Sequence, residues 1–130
     1  MKQKIHVAID GVVEKNRSVL LLKREITPFV GCWVLPGGAV RNSEKLVDAV
    51  KREVKEETGL KVKVVKYIGY YDNPKRDPRR RDITHAFICE SVGGKLKGSF
   101  EGRKLKWFKK LPKKMGFDHR KIIEDSGVLK

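Results

Sequence analysis

The sequence predicts an α+β chain: a mixed β-sheet carrying one central helix and one helix at the C-terminus. Three observations predict it. Short apolar or alternating segments recur between turn residues, which is the signature of strands. Residues 44–58 have helical period instead, with Leu46, Val50 and Val54 spaced by four and Val47 beside them. Finally, Asp118 offers a cap for a short helix running to Asp125.

Taken in order, residues 4–13 and 18–24 read as strands joined by a turn at Glu14–Arg17. Cys32–Leu35 is a short apolar run stopped by Pro36-Gly37-Gly38. Ser43 suits the N-cap of the central helix, and Gly59 suits the left-handed position after it. Lys61–Tyr71 is β-rich, Asp72–Asp82 is a charged loop with two prolines, and Ile83–Val92 alternates as a strand. Gly93-Gly94 reads as a tight turn from which Lys95–Lys97 returns. Lys104–Lys109 around Trp107 is a further strand, and Trp33 and Trp107 read as core anchors. With no linker, repeat or low-complexity tract, residues 1–130 read as a single domain.

Composition narrows the class. A chain of 130 residues can bury a core without disulfide staples. No run of about 18 apolar residues is present, and the N-terminus lacks the apolar core and cleavage site of a secretory signal. These features point to a cytoplasmic protein with no membrane span. Cys32 and Cys89 sit in apolar runs and read as core thiols rather than a disulfide or a metal pair. The formal net charge is +15. It is uneven: residues 61–130 hold 20 Lys and Arg against 8 Asp and Glu, whereas residues 1–60 hold 11 against 8. Such a surplus suits phosphorylated ligands or nucleic acid, and equally a solvated, lysine-rich surface.

The chemistry concentrates between Gly38 and Leu60. On a wheel of roughly 100° per residue with Leu46 at zero, Glu57 falls near 20°, inside the apolar arc. Glu53 falls near −20° and Glu56 near −80°. Spacings of three and four residues put these acids on one side of the helix, at its C-terminal end. Mutual repulsion, the negative end of the helix dipole and desolvation all oppose that placement. A hard divalent cation reverses each effect, and Mg²⁺ or Mn²⁺ suits such oxygen ligands and phosphate alike. Without a metal the same acids read as a solvated helix end partnered by Arg52 and Lys55.

The wider spacing is Gly38, five residues, Glu44, seven residues, then Arg52-Glu53-Val54-Lys55-Glu56-Glu57-Thr58-Gly59-Leu60. It resembles in full the signature of the Nudix hydrolases. Trp33-Val34-Leu35-Pro36-Gly37-Gly38 is similar to that family's entry into the motif. The resemblance implies an α/β/α sandwich and metal-dependent hydrolysis of a diphosphate linkage in a nucleoside diphosphate derivative. It implies Glu53, Glu56 and Glu57 as metal ligands with the backbone beside Gly38, Arg52 as an ion-pair partner, and Glu44 and Gly59 as structural positions. One departure stands out: Ser43 replaces the glycine many members carry before the first motif glutamate. Glu101, six residues before Trp107, matches the place of a further metal-binding or base glutamate in some members; a solvated loop acid beside Arg103 is the plain alternative.

Tyr70–Arg79 resembles a segment of the ADP-ribose pyrophosphatase subgroup, with Pro74 fifteen residues beyond Gly59 and the string Arg76-Asp77-Pro78-Arg79. The resemblance implies ADP-ribose as substrate, giving AMP and ribose 5-phosphate. Arg76 and Arg79 then grip phosphate or a ribose, with Pro74 fixing the loop, and Arg24 lies near the substrate. An oxidised nucleoside triphosphate or a dinucleoside polyphosphate is the sibling expectation. A basic nucleic-acid-binding module is the non-enzymatic one, and it is not favoured. Many relatives are homodimers. His6 and His85 read as structural strand residues, and His119 as packing the last helix.

Overall fold

The computed structural model describes residues 4–97, 99–100 and 103–130. In chain order the elements are β1 (His6–Lys15), β2 (Ser18–Lys23), β3 (Trp33–Val34), β4 (Gly37–Ala39), α1 (Leu46–Thr58), β5 (Leu60–Tyr71), β6 (Asp82–Gly94), β7 (Ser99–Phe100), β8 (Arg103–Phe108) and α2 (His119–Ser126). Among the described residues the strands form one mixed sheet in the order β5-β6-β1-β2-β8-β7, with β3 on β2 and β4 on β1. β1 is the shared member. It runs parallel to β6 from His6 opposite Asp82 to Glu14 opposite Glu90. Its start pairs with β4 and its end with β2. The β1–β2 turn places both Asn16 and Arg17 at positive φ, +50° and +57°. That is the turn whose twist matches a two-residue hairpin, and the Glu14 carboxylate accepts the Arg17 N–H at 3.0 Å.

The two helices cover opposite faces. Ala49, Val50 and Val54 of α1 pack on Ile9, Val13, Leu20, Phe87 and Cys89. Ile122 and Ile123 of α2 pack on Val12, Val19, Leu21 and Ala86. The α/β/α layering expected from the sequence is therefore present. Both tryptophans anchor the core: Trp33 meets Phe108 edge-on at 4.8 Å, and Trp107 packs against the α1 cluster. Cys32 and Cys89 are unpaired, and burial pushes the Cys89 thiol up to about 12. Among the described residues no helix is long and apolar enough to cross a membrane.

Several local expectations are corrected. Helix α1 begins at Leu46 behind Lys45, and Ser43 does not cap it. Val47 is exposed, and Ala49 takes the buried place on the other edge of the apolar stripe. Gly93 and Gly94 make no turn; they extend β6 opposite Lys61 and Leu60. Lys95–Lys97 does not return as a strand but folds onto the end of α1, where Lys97 N–H donates to Thr58 O at 2.9 Å. Asp118 precedes α2 without a side-chain cap bond, because its carboxylate is taken by Arg76. Strand β4 carries no sequence signal, since Gly37-Gly38-Ala39 has no β-forming side chain.

Candidate active site

The site grows from the turn between β3 and β4. Gly37 donates its N–H to Glu57 Oε1 at 2.8 Å, joining the turn to the last turn of α1. No side chain fits there, because a β-carbon on Gly37 would lie 2.2 Å from both Asp10 Oδ1 and Ile9 O. At Gly38 a β-carbon would lie 2.8 Å from the Glu53 carboxylate. Both glycines are thus required by close approach of backbone to acid.

Arg52 organises the neighbouring acids. Its Nε and Nη2 donate to the two oxygens of Glu44 at 2.7 and 2.9 Å. Nη1 donates to Glu53 at 2.8 Å and lies 3.4 Å from Glu56 Oε2, and Nη2 also reaches Ala39 O at 3.1 Å. The Arg52 hydrogen bonds lower Glu44 to about 2, against the opposing effect of burial and with help from the Arg41 N–H. Glu53 moves the other way: burial raises it, and its bond to Arg52 offsets this only in part. Glu56 is half-exposed beside Arg41. Gly59 closes the helix at φ +86°, and a β-carbon there would lie 2.3 Å from Lys95 O.

Glu53 and Glu57 therefore meet the Gly37-Gly38 backbone, and Glu56 stands next to them on α1 between Arg52 and Arg41. Among the described residues no three acidic, histidine or cysteine side chains converge as a ready metal cluster; Glu53 is held by Arg52 and Glu57 by the Gly37 N–H. The donor set still fits a hard divalent cation. It supplies carboxylate oxygens, one of them destabilised as an anion by burial, against a glycine backbone that leaves room for close approach. Glu101 lies outside the described residues.

Beyond the turn, a cleft of about 260 Å³ opens on the α2 side of the sheet. Its lining includes Gly37, Gly38 and Glu57 together with Arg24, Arg79, Arg80 and Phe117. Arg24 and Arg79 flank the Phe117 ring, their guanidinium carbons 5.2 and 5.6 Å from its centroid. Arg24 also donates to Pro28 O at 2.6 Å. Arg79 is clamped by Asp77, through Nε and Nη2 at 3.0 and 2.9 Å. Burial raises Asp77, but the Arg79 bonds and charge outweigh it and hold the carboxyl below its usual range.

Arg76, expected to grip phosphate, has its fork filled by protein. It is buried, donates to Asp82 and to Thr84 Oγ1, and meets Asp118 at 2.9 and 2.6 Å. It lines the cleft as a brace between the 72–81 loop, β6 and α2. Pro74 is exposed in that loop and lines no part of the cleft.

Two contributors were not legible as site residues. Asp10 on β1 is buried on the cleft floor, with Oδ2 3.0 Å from His119 Nε2. His119 Nδ1 accepts the Leu35 N–H at 3.0 Å. The alternation of β1, which puts His6, Ala8 and Asp10 on one face, was the available signal for Asp10.

A mixed sheet between two helices, with an acid-bearing helix end against a glycine turn and an arginine-lined cleft, defines a nucleotide-handling hydrolase architecture. The NUDIX domain family matches residues 4–125, and the chain belongs to that family. It is 47% identical to an ADP-ribose pyrophosphatase from Methanocaldococcus jannaschii over 121 residues, covering 92% of this chain and 71% of that protein. It is 33% identical to a putative 8-oxo-dGTP diphosphatase from Bacillus subtilis, covering 88% and 74%. Among solved structures it is similar to a MutT NUDIX hydrolase from Burkholderia pseudomallei, with TM-score 0.84, 25% identity and coverage of 95% and 98%. A MutT/nudix family protein from Enterococcus faecalis superposes with TM-score 0.83 at 27% identity, covering 96% of this chain and 61% of that one.

Proposed function

We propose that this Nudix hydrolase cleaves the diphosphate linkage of ADP-ribose, giving AMP and ribose 5-phosphate, with Mg²⁺ as its metal and Mn²⁺ as a substitute. The observation that carries the reading is the junction at Gly37-Gly38, where Glu53 and Glu57 abut one end of a cleft walled by Arg24 and Arg79. A diphosphate spanning that junction has acids for its metal on one side and guanidiniums for its charge on the other. Glu53, Glu56 and Glu57 are the ligands in this reading, with the backbone of Gly38 beside them. A divalent cation held there would supply charge neutralisation for the diphosphate and would make water a better nucleophile. Glu53, Glu56 and Glu101, six residues before Trp107 in the sequence, are the acids available to orient or deprotonate the attacking water. Water oxygen then bonds to one phosphorus and the bridging oxygen leaves with the other.

The 47% identity to an ADP-ribose pyrophosphatase supports this substrate over the oxidised nucleotide of the 33% relative. The unpaired thiols support a reducing, cytoplasmic setting. The experiment is a panel with Mg²⁺: ADP-ribose, NADH, sugar nucleotides, dinucleoside polyphosphates and nucleoside triphosphates. ADP-ribose is expected to show the highest kcat/KM. A result placing it among the poorest substrates overturns the choice.

A further inference from the structure

The cleft that receives a polyanion has a carboxylate on its floor. Asp10 is 7% exposed, and its Oδ2 lies 3.0 Å from His119 Nε2. No buried side-chain oxygen or nitrogen among the described residues lacks a partner, so the unbonded Oδ1 is the edge that reaches the cleft. The arrangement is constructed from several sides. His119 Nδ1 accepts the Leu35 N–H, which leaves the ring proton on Nε2 to donate to Asp10. That bond fixes which oxygen of Asp10 is used. Gly37 then leaves room for Oδ1, since a β-carbon there would be 2.2 Å away.

Each of the other cleft carboxylates holds a donor of the protein: Asp77 binds Arg79, Asp82 binds Arg76 and Thr84, and Glu57 accepts the Gly37 N–H. A carboxylate oxygen repels phosphate, so its position marks where the ligand presents a neutral donor. Asp10 adjoins Gly37, whose N–H is bonded to Glu57. The group that lies next to a diphosphate held at Glu57 is a sugar, and a sugar presents hydroxyls.

We propose that Asp10 Oδ1 accepts a hydrogen bond from a ribose hydroxyl next to the scissile diphosphate, with His119 as its positioning residue, so that the cleft selects ribo- over deoxyribo-substrates. This rests on the reading of the cleft as a diphosphate site. A site built to bond a hydroxyl rejects the analogue lacking it, because its own acceptor is left unpaired.

The test compares ADP-ribose with analogues in which each ribose hydroxyl is replaced in turn by hydrogen, and with the hypoxanthine analogue lacking the exocyclic amine. Dissociation constants are measured by calorimetry in EDTA, and kcat/KM with Mg²⁺, for the wild type and Asp10→Asn. The wild type is expected to favour one hydroxyl by roughly 10- to 100-fold in both readouts. Asp10→Asn exchanges a charged acceptor for an amide, whose N–H still reaches a hydroxyl oxygen but without the charge-assisted bond, and is expected to reduce that preference several-fold, through KM rather than kcat. Equal binding of every deoxy analogue by the wild type overturns the proposal without any variant. So does a preference undiminished in Asp10→Asn, or a loss that follows the exocyclic amine instead. Hydroxyl selectivity in binding with no diphosphate hydrolysis would remove the proposed activity and leave this inference standing; hydrolysis without selectivity would do the reverse.

Discussion

Arg52 meets Glu44 through two parallel hydrogen bonds, Nε to Oε2 at 2.7 Å and Nη2 to Oε1 at 2.9 Å, while Nη1 remains for Glu53. Lysine keeps the charge at this position but not the planar fork. Arg52→Lys is expected to lower kcat about 10- to 100-fold, the usual cost of losing a partner that orients ligating groups. Circular dichroism should show the fold retained. Wild-type turnover in this variant would remove the fork from the catalytic account.

The same pair sets a pH dependence. Glu44 is lowered to about 2 in the folded chain, chiefly by its hydrogen bonds from Arg52. A depressed carboxyl contributes stability above its unfolded pKa and loses it as pH falls through the folded value. The stability gap between wild type and Glu44→Gln, followed by denaturant titration, should be constant from neutrality to about pH 4.5 and should close toward pH 2.

Glu56 gives the sharpest test of the metal reading. Glu56→Gln is nearly isosteric and its side chain is half-exposed, so the fold should be untouched. Turnover should fall about 10³-fold, on the scale of removing a group that stabilises transition-state charge. Hydrolysis by the wild type should stop in EDTA and return with Mg²⁺, whereas nucleic-acid binding by the basic surface would survive EDTA and fall steeply with salt.

How much of this was written in the sequence depends on the distance over which each feature is made. The acids of α1 were legible because helical period is local: Leu46, Val50 and Val54 fix a face, and Glu57 falls on it. The cleft was not, because Asp10 and His119 are brought together from opposite ends of the chain. Arg76 shows the same limit. Its charge and loop position suggested phosphate, but only the fold places Asp82 and Asp118 on either side of it. Strand β4 escaped notice because its pairing with β1 comes from neighbours rather than from its own glycines.

Arg76 leads to a prediction opposite to a substrate role. Its side chain is 4% exposed between two carboxylates. Arg76→Ala leaves those charges without their partner and should cost about 3–5 kcal/mol of folding stability. Thermal unfolding reads this directly. A variant of normal stability with a raised KM would return Arg76 to the substrate.

Phe117 holds φ +52°, an unfavourable conformation for an aromatic residue, and packs on Phe29, itself at +62°. Arg24 and Arg79 both stack over its ring. Contacts of this kind are worth about 0.5–1 kcal/mol each. Phe117→Leu should therefore raise KM several-fold through the two guanidiniums while kcat is little changed; steady-state kinetics on ADP-ribose would check it.

The sheet separates two tasks. The acids proposed to hold a cation stand on α1, packed on one face, whereas the groups proposed to meet the rest of the ligand come from β1, the 72–81 loop and the Phe117 turn on the other. The Gly37-Gly38 turn joins them, with Glu57 bonded to it and lining the cleft. A lineage built on this plan can vary the 72–81 loop and the Phe117 turn while leaving the packing of α1 on the opposite face in place. The turn itself has no such freedom: any side chain at Gly37 strikes the floor of one half, and any at Gly38 strikes the acids of the other.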